Sequence, residues 1–215
     1  MSEFIVHGVP GSPYVRAALL GLEEKGASWR LEALGFGENK NPAYLAMQPF
    51  GRIPVLDHGD FRLYETQAIL RYLDRLFPAS PLTPSDPRAE ARMNQMIGIT
   101  DWYVMPQISA PIVFQRLMAP RLGMPVDEAR IAACIPLAQT CLAEISRLLG
   151  DRPFMAGDQL TIADLMLAPQ MAYLGEIADS EDLLAPHPNL RDWNARMAER
   201  PAMRATTWER LTEAA

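Results

Sequence analysis

Three short stretches of this 215-residue chain carry side chains that could do chemistry. In "VPGSPYVRAALL", Ser12 stands immediately before a proline that opens a helical pattern. Its oxygen can cap the helix by accepting a hydrogen bond from an orphan amide, with Pro13 pre-set for the first helical position. A helix N-terminus also favours anions through its free amides and dipole, so the same hydroxyl can donate to a thiolate docked there. In "FGRIPVL", an Ile53-Pro54 bond opens a strand, where proline belongs at an edge or bend. A cis bond there would turn the chain and leave the amide and carbonyl of Ile53 free to hold an extended peptide. In "YETQAILRYL", Glu65 and Thr66 sit where a strand ends and a helix begins. A carboxylate takes an ammonium, while a hydroxyl and helix-start amides take a carboxylate, which together match an amino-acid head group. Taken singly, Ser12 and Thr66 are most simply helix caps.

Composition narrows the remaining chemistry. A net charge of −6 without a basic run excludes nucleic acid as an expected partner. Eighteen of the 20 basic residues are arginine, so Lys25 and Lys40 stand out. Cys134 and Cys141 are two helical turns apart, about 10 Å, which is too far for a disulfide. With three scattered histidines there is no metal-ligand cluster in the sequence, and no metal is expected. No signal-like N-terminus and no membrane-length apolar stretch is read, so cytoplasm is the expected compartment and no membrane the expected partner.

The elements that position these residues follow from periodicity. "EFIVHG" reads as a buried strand, residues 13–25 as a helix with Val15, Ala18, Leu19 and Leu22 inward, and "SWRLEAL" as a second strand. Asn41-Pro42 caps a short helix reaching about residue 47. "RIPVLDHGDFRLYE" reads as an antiparallel hairpin. "ETQAILRYLDRLFP" is a helix with Ile69, Leu70, Leu73 and either Leu76 or Phe77 inward. Residues 1–78 thus run β-α-β-α-β-β-α, a parallel crossover unit extended by a hairpin. The proline-rich residues 79–87 read as a linker, and residues 88–215 are helical in pattern. Pro106 and Pro111 should bend or break the long segment 88–118, and Pro136 should kink a helix over 127–149. In "LTIADL", Thr161 and Asp164 form an acidic capping box, and further helices are expected over 189–200 and after Pro201.

"GSPYVRAALL", "NPAYLAMQPFGRIPVL", "ETQAILRYL" and "LTIADL" occur in the order and spacing of the cytosolic glutathione S-transferase family, which the chain resembles throughout its length. The resemblance implies a thioredoxin-like α/β N-terminal domain (1–78), a linker (79–87) and an all-α C-terminal domain (88–215) that lines the electrophile site. Ser12, with Arg16 one turn later, resembles the serine-type members (theta-, delta- and phi-like), whose hydroxyl stabilises the glutathione thiolate. Tyrosine-type members use the end of the first strand, where this chain has Val6 and His7; cysteine-type members put a cysteine at the helix start, and there is none here. Ile53 resembles the backbone clamp on the cysteinyl unit and Pro54 the cis-proline. Glu65 and Thr66 resemble the pair holding the γ-glutamyl end, although serine is commoner at the second position. Lys40 and Arg52 fall where members contact the glycine carboxylate, although many have glutamine at the latter.

The implied activity is conjugation of glutathione, as co-substrate, to small hydrophobic electrophiles in detoxification by a homodimer. Tyr103 and then Trp102 are the expected electrophile contacts. Two alternatives stay open: another glutathione-dependent reaction (isomerisation, ether cleavage, dehalogenation, peroxide reduction) and a non-catalytic adaptor or ligand carrier.

Overall fold

The computed structural model of the chain describes residues 3–213, so residues 1–2 and 214–215 of the expected domain ranges lie outside the described residues. The chain forms two compact units. The first runs to Thr83 and takes back the chain from Glu199 onward; the second spans Pro84–Ala198.

In the first unit, β1 (Phe4–Gly8), α1 (Pro13–Glu24) and β2 (Trp29–Ala33) make the crossover, followed by a 3-10 turn at Glu38–Lys40 and the short α2 (Pro42–Leu45). β3 (Val55–His58), β4 (Phe61–Tyr64) and α3 (Thr66–Leu76) complete it. The strands lie in the order β2-β1-β3-β4, with β1–β2 parallel and the other two pairings antiparallel. Val6, Val15, Ala18, Leu19, Leu22, Leu56, Ile69 and Leu73 are all fully buried in one cluster, each such burial contributing about 1.5–3 kcal/mol for the larger side chains. At the end of α3, Phe77 packs against this cluster while Leu76 is 38% exposed, which settles which of the two turns inward. Asn41 precedes α2 but its side chain makes no capping bond, unlike the expectation.

Lys25 justifies the attention its rarity drew. Its ammonium is buried with Asp74 at 2.8 Å and also donates to the carbonyls of Phe77 and Ser80. Asp74 accepts a second bond from the amide of Leu82. Burial opposes the charge on Asp74, but these donors outweigh it and hold the carboxyl below its usual range.

Residues 199–213, read from sequence as part of the helical domain, pack on α1 as α10 (Pro201–Ala205) and α11 (Trp208–Glu213). The physical reason is specific bonding. Arg16 donates to the Met203 carbonyl at 2.9 Å, Arg200 forms a two-point ion pair with Glu24, and Leu211 joins the core cluster.

The second unit begins with α4 (Pro87–Ile99), capped by Asp86 through the Ala89 amide at 2.8 Å. Residues Thr100–Met118 then continue as a wide helix rather than breaking at Pro106 and Pro111. In this form amides pair five residues back, as Ala119 does with Phe114. The prolines are five apart, so the two missing donors fall in one row of the ladder. α5 (Ala119–Arg121) leads to α6 (Glu128–Leu149), which passes Pro136 unbroken. No membrane-length apolar stretch is expected from the sequence, yet by length and composition alone α6 is long and apolar enough to cross a membrane. One face, including Ile131, Leu142, Ile145 and Leu149, is buried in the unit. α7 (Ile162–Gly175) is nearly all buried, and α8 (Ser180–Leu184) and α9 (Pro188–Ala198) close the unit.

Cys141 is buried on α6 and burial pushes its thiol up to about 12, whereas Cys134 is half-buried. Native protein at pH 8 is therefore expected to give up Cys134 to a chromogenic disulfide reagent and protect Cys141, with both titrating after denaturation. Equal native reactivity would contradict this packing.

Candidate active site

The strand register alone gathers the three chemical stretches. His7 of β1 pairs with Val55 of β3, and Val55 pairs with Tyr64 of β4. The end of β1, the start of β3 and the end of β4 therefore share one edge. From that edge issue the turn leading to Ser12, the Ile53-Pro54 bond and the Glu65-Thr66 step into α3. Ala33 of the parallel β2 pairs with Gly8, so the segment carrying Lys40 leaves from the same end. Two strand spacings separate β1 from β4, about 10 Å.

Ser12 is the N-cap of α1. Its backbone is extended, its oxygen accepts from the Val15 amide at 3.4 Å, and its carbonyl accepts from Arg16 at 2.9 Å. That side-chain bond is at the long limit, and it uses an oxygen lone pair only. A hydroxyl has one donor and two acceptor sites, so the proton of Ser12 remains available. The turn before it is type II: Ser12 N–H donates to Val9 C=O at 3.1 Å, Pro10 occupies the second position and Gly11 the third with φ of 85°.

The Ile53-Pro54 bond is cis. The ladder begins at Val55, so the amide and carbonyl of Ile53 lie outside it. The preceding loop is firmly held. Tyr44 donates its hydroxyl to the Arg52 carbonyl at 2.7 Å, and the Arg52 amide donates to Gln48 Oε1 at 3.0 Å. Burial pushes the Tyr44 phenol up to about 12, so it stays a donor at any physiological pH. The Arg52 side chain is exposed. Lys40 does not stand free: its ammonium lies over the loop, 3.0 Å from the Gly51 carbonyl and 3.5 Å from that of Phe50. Gly51 has φ of 59°, and a Cβ there would come within 2.7 Å of Lys40 Nζ and 2.9 Å of the Asn39 carbonyl, so glycine is required.

Glu65 has φ of 72° and is the sole positive-φ non-glycine among the described residues. Such a conformation costs on the order of 1–3 kcal/mol and persists where surrounding structure enforces it. It puts an exposed carboxylate at the head of α3, whose second residue in this step, Thr66, is buried. Sequence reasoning identified the Glu-Thr pair but neither the strain nor the supporting Tyr44 and Gln48, which read only as parts of a short helix and its loop.

The alternative positions are otherwise engaged. Val6 is fully buried, and the His7 ring bonds Asp57 Oδ2 at 2.9 Å. A two-point bond from Arg62 holds the Asp57 carboxyl below its usual range. His58 bonds the Tyr72 hydroxyl at 2.7 Å. Among the described residues no group of three or more His, Cys, Asp or Glu could hold a metal ion. Trp102 and Tyr103 belong to the wide helix of the second unit, where they are 77% and 52% exposed.

Family models for the glutathione S-transferase N-terminal and C-terminal domains match residues 6–81 and 128–196. Glutathione S-transferase 3 of Zea mays is 30% identical over 210 residues, covering 96% of this chain and 94% of the relative. The crystal structure of glutathione transferase F7 from Populus trichocarpa superimposes with a TM-score of 0.85 at 27% identity, covering 97% of this chain and 99% of that one. The theta class glutathione S-transferase from Xanthomonas axonopodis pv. citri, solved with glutathione bound, gives 0.83 at 29% identity, covering 96% and 98%. By sequence over nearly its whole length and by fold, the chain belongs to the glutathione S-transferase family.

Proposed function

We propose that this glutathione S-transferase conjugates the thiolate of glutathione to small hydrophobic electrophiles, with the Ser12 hydroxyl donating a hydrogen bond to the sulfur. The observation that carries the reading is the convergence of Ser12, Ile53-Pro54 and Glu65-Thr66 on one sheet edge about 10 Å wide. An extended tripeptide has the same reach, about 10 Å. Laid along that edge, it would meet Glu65 and Thr66 with its γ-glutamyl end and the Ile53 backbone with its cysteinyl unit. Lys40 and Arg52 are the assigned contacts of the glycine carboxylate; Lys40 has three donors, and its loop carbonyls engage two of them.

The energetics are adequate. A free thiol with a pKa near 8.5 is only a few per cent thiolate at neutral pH. One charge-assisted bond from Ser12 contributes about 1.5–3 kcal/mol, and the α1 terminus up to about 1 kcal/mol. Together they lower the thiol by about one to three units, at 1.36 kcal/mol per unit. Ser12 acts as a donor, not as an attacking nucleophile. His7 and His58, the histidines of this unit, are bonded to Asp57 and Tyr72, and among the described residues the Ser12 side chain is bonded to the Val15 amide and to no base.

Trp102 and Tyr103 are the assigned contacts of the electrophile; their exposure leaves apolar surface available to it. A cytoplasmic homodimer active in detoxification completes the reading, following the family resemblance. Turnover of an aromatic halide with glutathione, together with retention on immobilised glutathione, tests it. Retention without turnover would favour one of the other glutathione-dependent reactions. Folded protein that is not retained would favour an adaptor or ligand carrier.

A further inference from the structure

The turn that presents Ser12 is braced from the far end of the sequence. At Gly11 a Cβ would lie 3.4 Å from Cδ1 and Cγ of Trp208 and 3.8 Å from its Nε1. The indole therefore faces the third residue of the type II turn across the space that a Cβ would fill, its nearest ring atoms at ordinary contact distance from that position. Gly11 also needs its positive φ, which glycine alone adopts without strain. Trp208 opens α11, whose Leu211 is 4% exposed within the core cluster containing Val6, Val15 and Leu19. One helical turn thus separates a ring on the turn from an anchor in the core. The preceding segment is tied to the same helix: Met203 accepts from buried Arg16, one turn beyond Ser12, and Arg200 pairs with Glu24 near the end of α1. The chain from Arg200 to Leu211 consequently follows α1 along its length and ends with a flat aromatic face on the turn.

We propose that Trp208 is a positioning residue for Ser12, its ring fixing the Val9–Ser12 turn so that the hydroxyl points its proton at the glutathione sulfur. Without the ring, the turn keeps its Ser12-to-Val9 hydrogen bond but loses the surface that prevents it from rocking about Gly11. A hydroxyl displaced by a fraction of an ångström weakens a charge-assisted bond while leaving the remainder of the peptide site in place. Trp208 touches no reacting atom in this account.

The inference rests on the proposed role of Ser12, and the test separates the two. Trp208→Ala, Trp208→Phe, Ser12→Ala and the Ser12→Ala/Trp208→Ala double variant are compared by the pH profile of kcat/KM and by the ultraviolet titration of bound glutathione thiolate. Trp208→Ala is expected to raise the apparent thiol pKa by about half a unit to one unit. It should lower kcat/KM at pH 6.5 up to about 3- to 10-fold, with KM for glutathione changed less than twofold. Trp208→Phe, which keeps a flat ring, should restore most of the loss and remains informative should the alanine variant not fold. In the Ser12→Ala background, removing the ring should add nothing to the pKa shift. An unshifted titration in Trp208→Ala, or in a folded Trp208→Leu variant used in its place, overturns the inference. So does an equal shift in the Ser12→Ala background. If Ser12→Ala itself leaves the titration unmoved, the Ser12 mechanism fails instead.

Discussion

Replacing Ser12 with alanine is expected to lower kcat/KM for glutathione conjugation about 10- to 100-fold at pH 6.5, the equivalent of a charge-assisted hydrogen bond of 1.5–3 kcal/mol. The loss should shrink as pH rises. Ser12 stabilises only the charged sulfur, so its removal raises the bound thiol toward its free value near 8.5. Above that value both proteins hold mostly thiolate, and the alanine variant's more basic sulfur is intrinsically the better nucleophile. KM for glutathione should change little, because the binding assigned to Glu65, Thr66 and Ile53 does not involve the hydroxyl. Stability offers the control. The cap bond to Val15 is 3.4 Å long, so its loss should cost no more than about 0.5 kcal/mol, the low end for N-caps. A pH-independent activity loss, or a stability loss comparable in energy to the activity loss, would leave Ser12 as a cap and nothing more.

The cap and the proposed thiolate donor are both readable in "GSPY", because capping and anion binding depend on the same free amides at the start of α1. The sheet was legible for a similar reason: alternation and a glycine turn define each strand, and the crossover and hairpin leave few pairings open. What escaped the sequence reading depends on distant parts of the chain. Arg16 and Met203 are 187 residues apart, and Glu24 and Arg200 are 176 apart. No local pattern reports such bonds, so helical periodicity and the family resemblance both place the tail with the helical domain. The strain at Glu65 was invisible because no charged side chain advertises a positive φ as glycine does. Pro106 and Pro111 are expected to bend or break an ordinary α-helix; the chain instead continues as a wide helix whose ladder, pairing five residues back, takes both in one row. In the site itself the residues proposed to carry chemistry are marked by their types and spacing. The observed supports of the adjoining loop, Tyr44 and Gln48, are not so marked, since a tyrosine or glutamine in or beside a short helical stretch carries no sign of what it supports.

The largest expected effect on stability lies at Asp164, in the second unit. This carboxylate is completely buried and accepts four hydrogen bonds: Met155 N at 2.9 Å, Thr161 N at 2.9 Å, Thr161 Oγ1 at 2.8 Å and Trp193 Nε1 at 3.0 Å. The capping box expected from "LTIADL" is therefore formed, but it is half of the arrangement. The same side chain fastens the loop at Met155 and the indole of α9 to the start of α7. Burial pushes its carboxyl up, and the four donors oppose that push without reversing it. Asp164→Ala removes every acceptor at once and strands buried donors at about 1–3 kcal/mol each, partly relieved by water entering the space. A total loss of about 3–5 kcal/mol is expected, as for breaking other buried charged networks. Denaturant unfolding monitored by tryptophan fluorescence measures it, and the melting temperature should fall by about 10 °C or more. Asp164→Asn keeps one acceptor oxygen but turns an amide donor toward donors, so it should recover only part of the loss. A nearly neutral Asp164→Ala would mean that the cap of α7 and the docking of α9 are independent, and that the buried carboxylate is not what joins them.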